Sequence, residues 1–274
     1  MSNLLSPQAL PNADHGSGTD QHAQKVAFHT ELAAVEQELQ GALTDLYTPL
    51  ADLAHAQFRR ARPLLRAALV LAVGVGQPDA ERLRQQRLSL AAAQEMLFIA
   101  LRIHKLLLVS QPNQPDEQQK TLMGGIILTG DYCFSRSAIL AAQTDHVEVV
   151  ELFSQALKLI SEGILRNFFA DRAAATQSVP SADAMLYDER RDLFVSGVHA
   201  AAVLAALPPS TRSDLVDLAH FLADQSTPYD PIALTNQLHA VRQVTPLQRA
   251  RLLAFGEWLS QDKKIGREEE KKSN

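Results

Sequence analysis

Three arginines close together are the group in this sequence best suited to binding an anion. Arg59, Arg60 and Arg62 stand immediately before Pro63. Guanidinium groups bind phosphate oxygens through paired hydrogen bonds, so the cluster could hold a diphosphate. A basic cluster on a helix is more often a solvated or ion-paired surface. Both interpretations stay open, and the surface interpretation is favoured.

Asp131 is the second residue whose setting suggests chemistry. It follows Gly130 between two apolar stretches of helical spacing, where helix propensity alone would favour neither residue. A buried carboxylate in such a place more often accepts backbone hydrogen bonds or pairs with a cation than it takes part in catalysis. We therefore interpret Asp131 as a buried structural carboxylate.

The remaining reactive side chains do not form a recognisable pattern. The single cysteine, Cys133, excludes an intrachain disulfide, agrees with a reducing cytoplasm, and lies in an apolar helix as a small core residue would. The histidines are scattered, which argues against a zinc site or a catalytic triad; they include His55, His104, His199, His220 and His239. We predict no catalytic residue and no metal ligand.

Charge and hydropathy narrow the classes of partner. The 274-residue chain has a net charge of −5 and a pI near 6.0, so no basic field favours nucleic acid or an anionic membrane. Its longest apolar stretches, 64–75 and 96–109, contain charged residues and are shorter than the roughly 20 residues of a membrane span. We expect a cytoplasmic protein without a membrane span and without a nucleic-acid partner.

Helical periodicity predicts the elements that must position these residues. Apolar residues recur at spacings of three and four along most of the chain, so the predicted fold class is all-α. Pro63 is expected to interrupt the second helix. We divide the chain into a disordered leader (1–24), a single helical domain (25–262) and a charged tail (263–274). The predicted helices are 26–46, 49–73, 79–109, 117–142, 145–170, 182–206, 210–224, 231–241 and 245–261.

Several short motifs, taken in order, resemble those of trans-isoprenyl diphosphate synthases, the polyprenyl synthetase family. The segment 58–65 (FRRARPLL) resembles the family's GKRxRP element, and 127–134 (ILTGDYCF) resembles its LxGDxLL step. Glu162 and Gly163 stand where the family has Glu-Gly, and 192–194 (DLF) is similar to the latter half of KTAxLF. The resemblance implies an isoprenoid-synthase-type bundle of about nine or ten helices around a central cavity.

The sequence departs from the family where the resemblance places two DDxxD motifs. In the family these aspartates hold Mg²⁺ ions against an allylic diphosphate, and Mg²⁺ requires oxygen ligands. The corresponding segments are 105–109 (KLLLV) and 230–234 (DPIAL), in which Asp230 is the one carboxylate. Pro228 and Pro231 are expected to break the second of these helices. We therefore interpret the chain as a degenerate member that lacks both motifs.

At two further positions the sequence lacks the residue type that the family has. Phe98 stands where the family has a histidine that helps to hold isopentenyl diphosphate, and Glu189 stands where it has the lysine of KTAxLF. These differences favour a chain without a cofactor, with Mg²⁺ needed only if residual activity exists.

Two functions of different class follow from the resemblance. The first is a catalytically inactive partner or regulatory subunit, in a homo- or heterodimer with an active prenyl diphosphate synthase, because the family dimerises through helices that remain apolar here. The alternative is a carrier of a prenyl or other apolar ligand, or a residual prenyltransferase, that uses the helical cavity.

Overall fold

All regular structure in the described part of the chain is helical. The structure, a computed structural model, describes residues 17–60, 64–76, 78–109, 116–176, 188–224 and 230–273. These ranges contain ten helices and no strand, as the periodicity predicts. The helices are α1 (Ser17–Thr44), α2 (Thr48–Arg60), α3 (Leu65–Val73), α4 (Glu81–Val109), α5 (Glu117–Ala142), α6 (Val147–Thr176), α7 (Glu189–Leu204), α8 (Pro209–Asp224), α9 (Pro231–Ala240) and α10 (Pro246–Ser273).

The first and last helices are longer than predicted. Helix α1 begins at Ser17, inside the segment 1–24 that we expected to be a disordered leader, and α10 continues to Ser273. Tertiary contacts explain the early start. Gln24 accepts a hydrogen bond from Arg251 at 2.9 Å, and Lys25 pairs with Glu257 at 2.7 Å, so the beginning of α1 packs against α10.

The helix is interrupted next to Pro63, as predicted. Helix α2 ends at Arg60 and α3 begins at Leu65, while 61–63 lie outside the described residues. Leu64 has a left-handed backbone conformation with φ of 68°, which a non-glycine residue adopts only when its surroundings hold it there. Every residue of the short α3 is buried, so α3 forms the centre of the core.

Helix α4 is the element around which the candidate site is assembled. It packs along α5 on one side and contacts α3 and α7 on others. Its middle section from Leu90 to Leu101 is buried, which the nearly all-round apolar sequence dictates. Near its end, His104 contacts α5 and Lys105 contacts α7.

A buried ionic network joins α4 to both ends of the described chain. Arg87 on α4 is fully buried and pairs with Glu31 of α1 at 2.8 Å and with Asp79 at 2.8 Å. Arg251 of α10 pairs with Glu31 at 3.0 Å. Such charges are tolerated in the interior only when they are paired and hydrogen-bonded, as these are.

Within the described ranges, no helix combines the length and the apolar character that crossing a bilayer requires.

Candidate functional site

The candidate site lies along the second half of α4, where the resemblance places the substrate and metal ligands. Residues from Glu95 to Leu107 contact α3, α5 and α7 there. Two ion pairs and one histidine–carboxylate contact between these helices define its chemistry, and each involves a residue of α4.

Glu95 and Arg66 form the first pair, which is buried. One carboxylate oxygen of Glu95 accepts hydrogen bonds from the backbone N–H groups of Arg66 at 2.8 Å and Ala67 at 3.1 Å. The other oxygen accepts from Nε and Nη2 of Arg66, at 3.1 and 2.9 Å. The side chains are 1% and 6% exposed. Glu95 therefore caps the N-terminus of α3 and neutralises its first guanidinium.

Phe98 lies directly beneath that guanidinium. The Arg66 Cζ atom is 3.5 Å from the centre of the Phe98 ring, and the Cζ atom of Arg102 is 5.8 Å from it. Both arrangements are cation–π contacts, which are strongest where water is excluded. The position at which the family has a substrate-binding histidine is thus occupied here by an aromatic side chain that packs against arginine.

Lys105 and Glu189 form the second pair, between the end of α4 and the first residue of α7. Lys105 is partly exposed, whereas Glu189 is buried. The resemblance places an aspartate at position 105 and a lysine at position 189. Each position therefore has the opposite charge in this chain. Glu189 already has a cationic partner, and the Lys105 ammonium repels a metal ion approaching the end of α4.

His104 and Asp131 form the third pair, and they correct our prediction for Asp131. The carboxylate is 63% exposed rather than buried, and its Oδ1 atom lies 3.3 Å from Nε2 of His104. A Cβ atom at Gly130 would come within 2.2 Å of the same imidazole nitrogen. Gly130 therefore gives the ring room to cross from α4 to α5. That Asp131 has a structural role remains an interpretation, and the contact with His104 is now the interaction through which it would act.

Asp230 has a structural place at the beginning of α9. Its side chain accepts a hydrogen bond from the backbone N–H of Ile232 at 3.0 Å, which is an N-cap, and Pro231 follows at the first helical position. Asp230 has an extended backbone conformation and α9 begins at Pro231, so the described part of this segment has a helix boundary at Pro231, as that proline predicts. Residues 225–229 lie outside the described part.

The arginine cluster cannot be placed in the site. Arg59 and Arg60 belong to the last turn of α2, but their side chains, and the whole of Arg62, lie outside the described residues. Their proposed contact with a diphosphate stays a prediction.

The described residues also bear on metal and thiol chemistry. Within the described ranges, no group of three or more His, Cys, Asp or Glu side chains is placed to hold a metal ion. Cys133 is fully buried in α5, and burial raises the pKa of its thiol to about 12. A thiol with that pKa is a weak nucleophile at neutral pH.

A surface of exposed apolar side chains lies outside this site, on the outer faces of α5 and α6. These side chains are large and at least a third exposed, and exposed apolar patches mark interaction sites in many proteins. We call them the α5/α6 surface; they are Leu122, Ile127, Leu128, Ile139, Val147, Val150, Leu159, Leu165 and Phe169.

Sequence reasoning missed the Arg66–Glu95 and Lys105–Glu189 pairs. The signal for the Arg66–Glu95 pair was present, because each is the one charged residue within a long apolar stretch and needs a partner there. Lys105 and Glu189 were noticed separately, but nothing in the sequence indicated that these residues, 84 positions apart, would meet.

Comparisons with known proteins identify the fold but match nothing in sequence. Neither a protein-family model nor a curated protein matches the chain. Among solved structures, the chain is similar to a decaprenyl diphosphate synthase from Rhodobacter capsulatus, with 21% identity over 80% of this chain and 67% of that one, and a TM-score of 0.55. It is similar to a polyprenyl synthase from Caulobacter crescentus complexed with calcium and isoprenyl diphosphate, with 14% identity over 86% and 98% of the chains and a TM-score of 0.57.

A third similar structure is a deletion mutant of the heterotetrameric geranyl pyrophosphate synthase of mint. It has 13% identity over 84% of this chain and 98% of that one, with a TM-score of 0.51. At such identities the likeness establishes the fold. The chain therefore has the all-α isoprenoid-synthase-type fold that the motif order predicts.

Proposed function

We propose that this chain is a catalytically inactive homologue of trans-prenyl diphosphate synthases and acts as a partner or regulatory subunit of an active synthase. The observation that carries the proposal is the α5/α6 surface, together with the carboxylates of Glu95 and Glu189, which already pair with cations of the site. The first favours a protein partner, and the second argues against chemistry within the chain itself.

The charges along α4 argue against metal-assisted ionisation of an allylic diphosphate. That reaction needs carboxylates that hold Mg²⁺ against the leaving diphosphate. The side chain at 105 is a lysine paired with Glu189, and the next two side chains are leucines. Glu95 is committed to Arg66 and the first amides of α3. Glu95 could bind a metal ion only by leaving the buried Arg66 unneutralised, and Glu189 only by giving up its pair with Lys105.

The pattern along α5 suits packing against another helix. Its outward positions follow steps of four and three residues, the spacing of a two-helix seam. Leu128 lies in this row at 65% exposure, and small side chains at the later positions would let a partner helix approach closely. The row consists of Leu128, Asp131, Ser135, Ala138 and Ala142.

An active synthase is the occupant that we assign to this surface. The resemblance implies dimerisation through helices that remain apolar here, and one of the similar structures is named as a heterotetrameric geranyl pyrophosphate synthase. A subunit that has lost its own chemistry but keeps its apolar helix faces would be retained for its effect on such a partner. The same surface could also pair with a second copy of this chain, and the experiments separate these cases.

The first experiment measures chemistry directly. The purified full chain is incubated with Mg²⁺, isopentenyl diphosphate and an allylic diphosphate, and the chain length of the products is followed. We expect no elongation above the background without protein. Elongation at a rate comparable with that of an active synthase of this fold would refute the proposal.

The second experiment tests the surface. The chain is expressed together with an active trans-prenyl diphosphate synthase from the same genome, and complex formation, rate and product length are measured. We expect the two chains to elute together and the rate or product length to change. Leu128→Glu should weaken the complex by at least tenfold, because a carboxylate would be buried without a partner.

A matched control exists elsewhere on the chain. Ile232 on α9 is 72% exposed but does not belong to the α5/α6 surface, so Ile232→Glu should leave the complex unchanged. A chain that remains monomeric, or self-associates without affecting the synthase, would contradict the partner role. Saturable binding of farnesyl diphosphate without turnover, and with no effect on the synthase, would instead favour the carrier alternative.

A further inference from the structure

A pocket between α6, α7 and α8 is distinct from the site on α4. It has a volume of about 400 Å³ and is formed by the start of α6, the second half of α7 and the first turns of α8. His199 lies ten residues after Glu189 on α7, which is about 15 Å along a helix. Its lining residues are Glu148, Leu152, His199, Val203, Pro209, Arg212, Ser213 and Val216.

The lining combines an apolar part with a small polar part. Leu152, Val203, Pro209 and Val216 present aliphatic carbon, and their four positions come from all three helices. Pockets of this size with mostly apolar walls and few polar groups are typical binding sites for small molecules. The polar groups of such a pocket determine where the charged end of the bound molecule lies.

One hydrogen bond holds Arg212 in position, and its two Nη groups remain available as donors. Its Nε atom donates to the carbonyl oxygen of Leu207 at 2.8 Å, which fixes the guanidinium plane. Its two Nη groups make no hydrogen bond or ion pair with any residue in the described ranges. A guanidinium that is fixed on one edge and open on the other is preorganised for a planar or tetrahedral anion.

His199 and Ser213 add neutral hydrogen-bonding groups. Burial, and then the nearby charge of Arg212, lower the pKa of His199, so its ring is uncharged at neutral pH and can accept as well as donate. Arg212 is therefore the one cation among the residues that line the pocket.

Glu148 limits the charge that the pocket accepts. It lines the same pocket, is exposed, and is not paired with Arg212. Its carboxylate would attract a hydroxyl group but would repel a second negative charge on a ligand. A diphosphate carries several such charges, whereas a carboxylate carries one.

From this geometry we propose that the pocket binds a small amphipathic monoanion, an aliphatic body with a single carboxylate head group that pairs with Arg212. The aliphatic body lies against Leu152, Val203 and Val216, and the head group lies at the Arg212 edge. The assignment is independent of the partner role proposed above, because it uses neither the α5/α6 surface nor α4.

Titration of the full-length chain with octanoate, octanol and octylamine tests the pocket, with isothermal calorimetry as the readout. We expect saturable binding of octanoate, and binding of octanol and octylamine at least tenfold weaker, because they lack the charge-assisted hydrogen bonds to arginine. The Arg212→Gln variant should reduce octanoate affinity by about tenfold or more. Arg82→Gln, which removes an exposed arginine on α4, is the charge-matched control and should bind as the wild type does.

Two further measurements locate the ligand. Val216→Phe fills the pocket from a partly buried position and should abolish octanoate binding, while circular dichroism checks that the variant is folded. Glu148→Gln should tighten octanoate binding and admit inorganic pyrophosphate, which the wild type should exclude. No saturable binding of octanoate, equal affinity for octylamine, or wild-type affinity in Arg212→Gln would each overturn the proposal.

Discussion

Replacing Glu95 by glutamine is the most direct test of the way the interior of α4 is organised. The substitution keeps the shape of the side chain and one acceptor oxygen. That oxygen can still accept from the amides of Arg66 and Ala67. The new amide group, however, would present N–H donors to the Nε and Nη2 donors of Arg66, where the carboxylate oxygen accepted from both.

The expected loss of stability follows from the burial of the pair. Both side chains are almost fully buried, so solvent screens the interaction little. Removing one member of a buried pair typically costs about 3–5 kcal/mol, which is a large part of a total stability of about 5–15 kcal/mol. At roughly 2–4 °C per kcal/mol for a chain of this size, the melting temperature should fall by about 6–20 °C.

A double-mutant cycle separates the pair from general damage to the core. Arg66→Met should cost less, about 1–3 kcal/mol, because Glu95 keeps its two backbone amides as partners. The double variant should be more stable than the sum of the two single losses predicts. Glu117→Gln makes the same substitution in an exposed i,i+3 pair and serves as the control.

Urea and thermal denaturation of the full chain, followed by circular dichroism at 222 nm, provide the measurements. We expect the Glu117→Gln control to have the same melting temperature as the wild type. If Glu95→Gln changed the free energy of unfolding by less than about 1 kcal/mol, or if the losses were simply additive, the buried pair would not have the role that we assign to it.

Further predictions concern the other contacts of α4 and α5. Lys105→Glu and Glu189→Lys should each lower the free energy of unfolding by about 1 kcal/mol. The expected loss is small because Lys105 is partly exposed and solvent screens the pair. The variant with both exchanges should recover most of the loss in the same urea titrations. Gly130→Ala should lower the melting temperature, because the new methyl group would meet the histidine that crosses it, whereas Gly124→Ala, which has nothing within 4 Å, should raise it slightly. Cys133 should resist iodoacetamide at pH 8 in the native chain and react upon unfolding in urea, since its pKa is raised to about 12; equal rates in both states would contradict its burial. For the same reason, stability should fall as the pH rises above the unfolded value of 9.0, and Cys133→Ala should make that fall less steep.

The helices were predictable because each rests on a local signal. The spacing of apolar residues placed α5 at 117–142, and Pro63 and Pro231 placed two of the breaks. The ends of α1 and α10 were predicted less well. Their sequences are polar, and contacts between the two helices, such as that of Lys25 with Glu257, stabilise turns that composition alone favours only weakly.

The candidate site was predictable only in part, because its residues act in pairs that come from different helices. Arg66 and Glu95 are isolated charges in apolar stretches, so a partner for each could have been predicted, although we did not predict one. Which charge would meet which depends on the neighbours of α4, and periodicity does not specify them. Asp131 illustrates the opposite error, since an apolar sequence context suggested burial but the outer face of α5 leaves it exposed.

The sequence by itself determined the helical class, the breaks at the prolines and the order of motifs that led to the fold, because helix propensity, proline geometry and periodicity act over a few residues. The tertiary structure alone decided that Lys105 meets Glu189, that Gly130 makes room for His104, and that Arg212 lines a pocket with open donors. These features depend on the distances between helices that are far apart in the chain, and the packing of the whole core sets those distances.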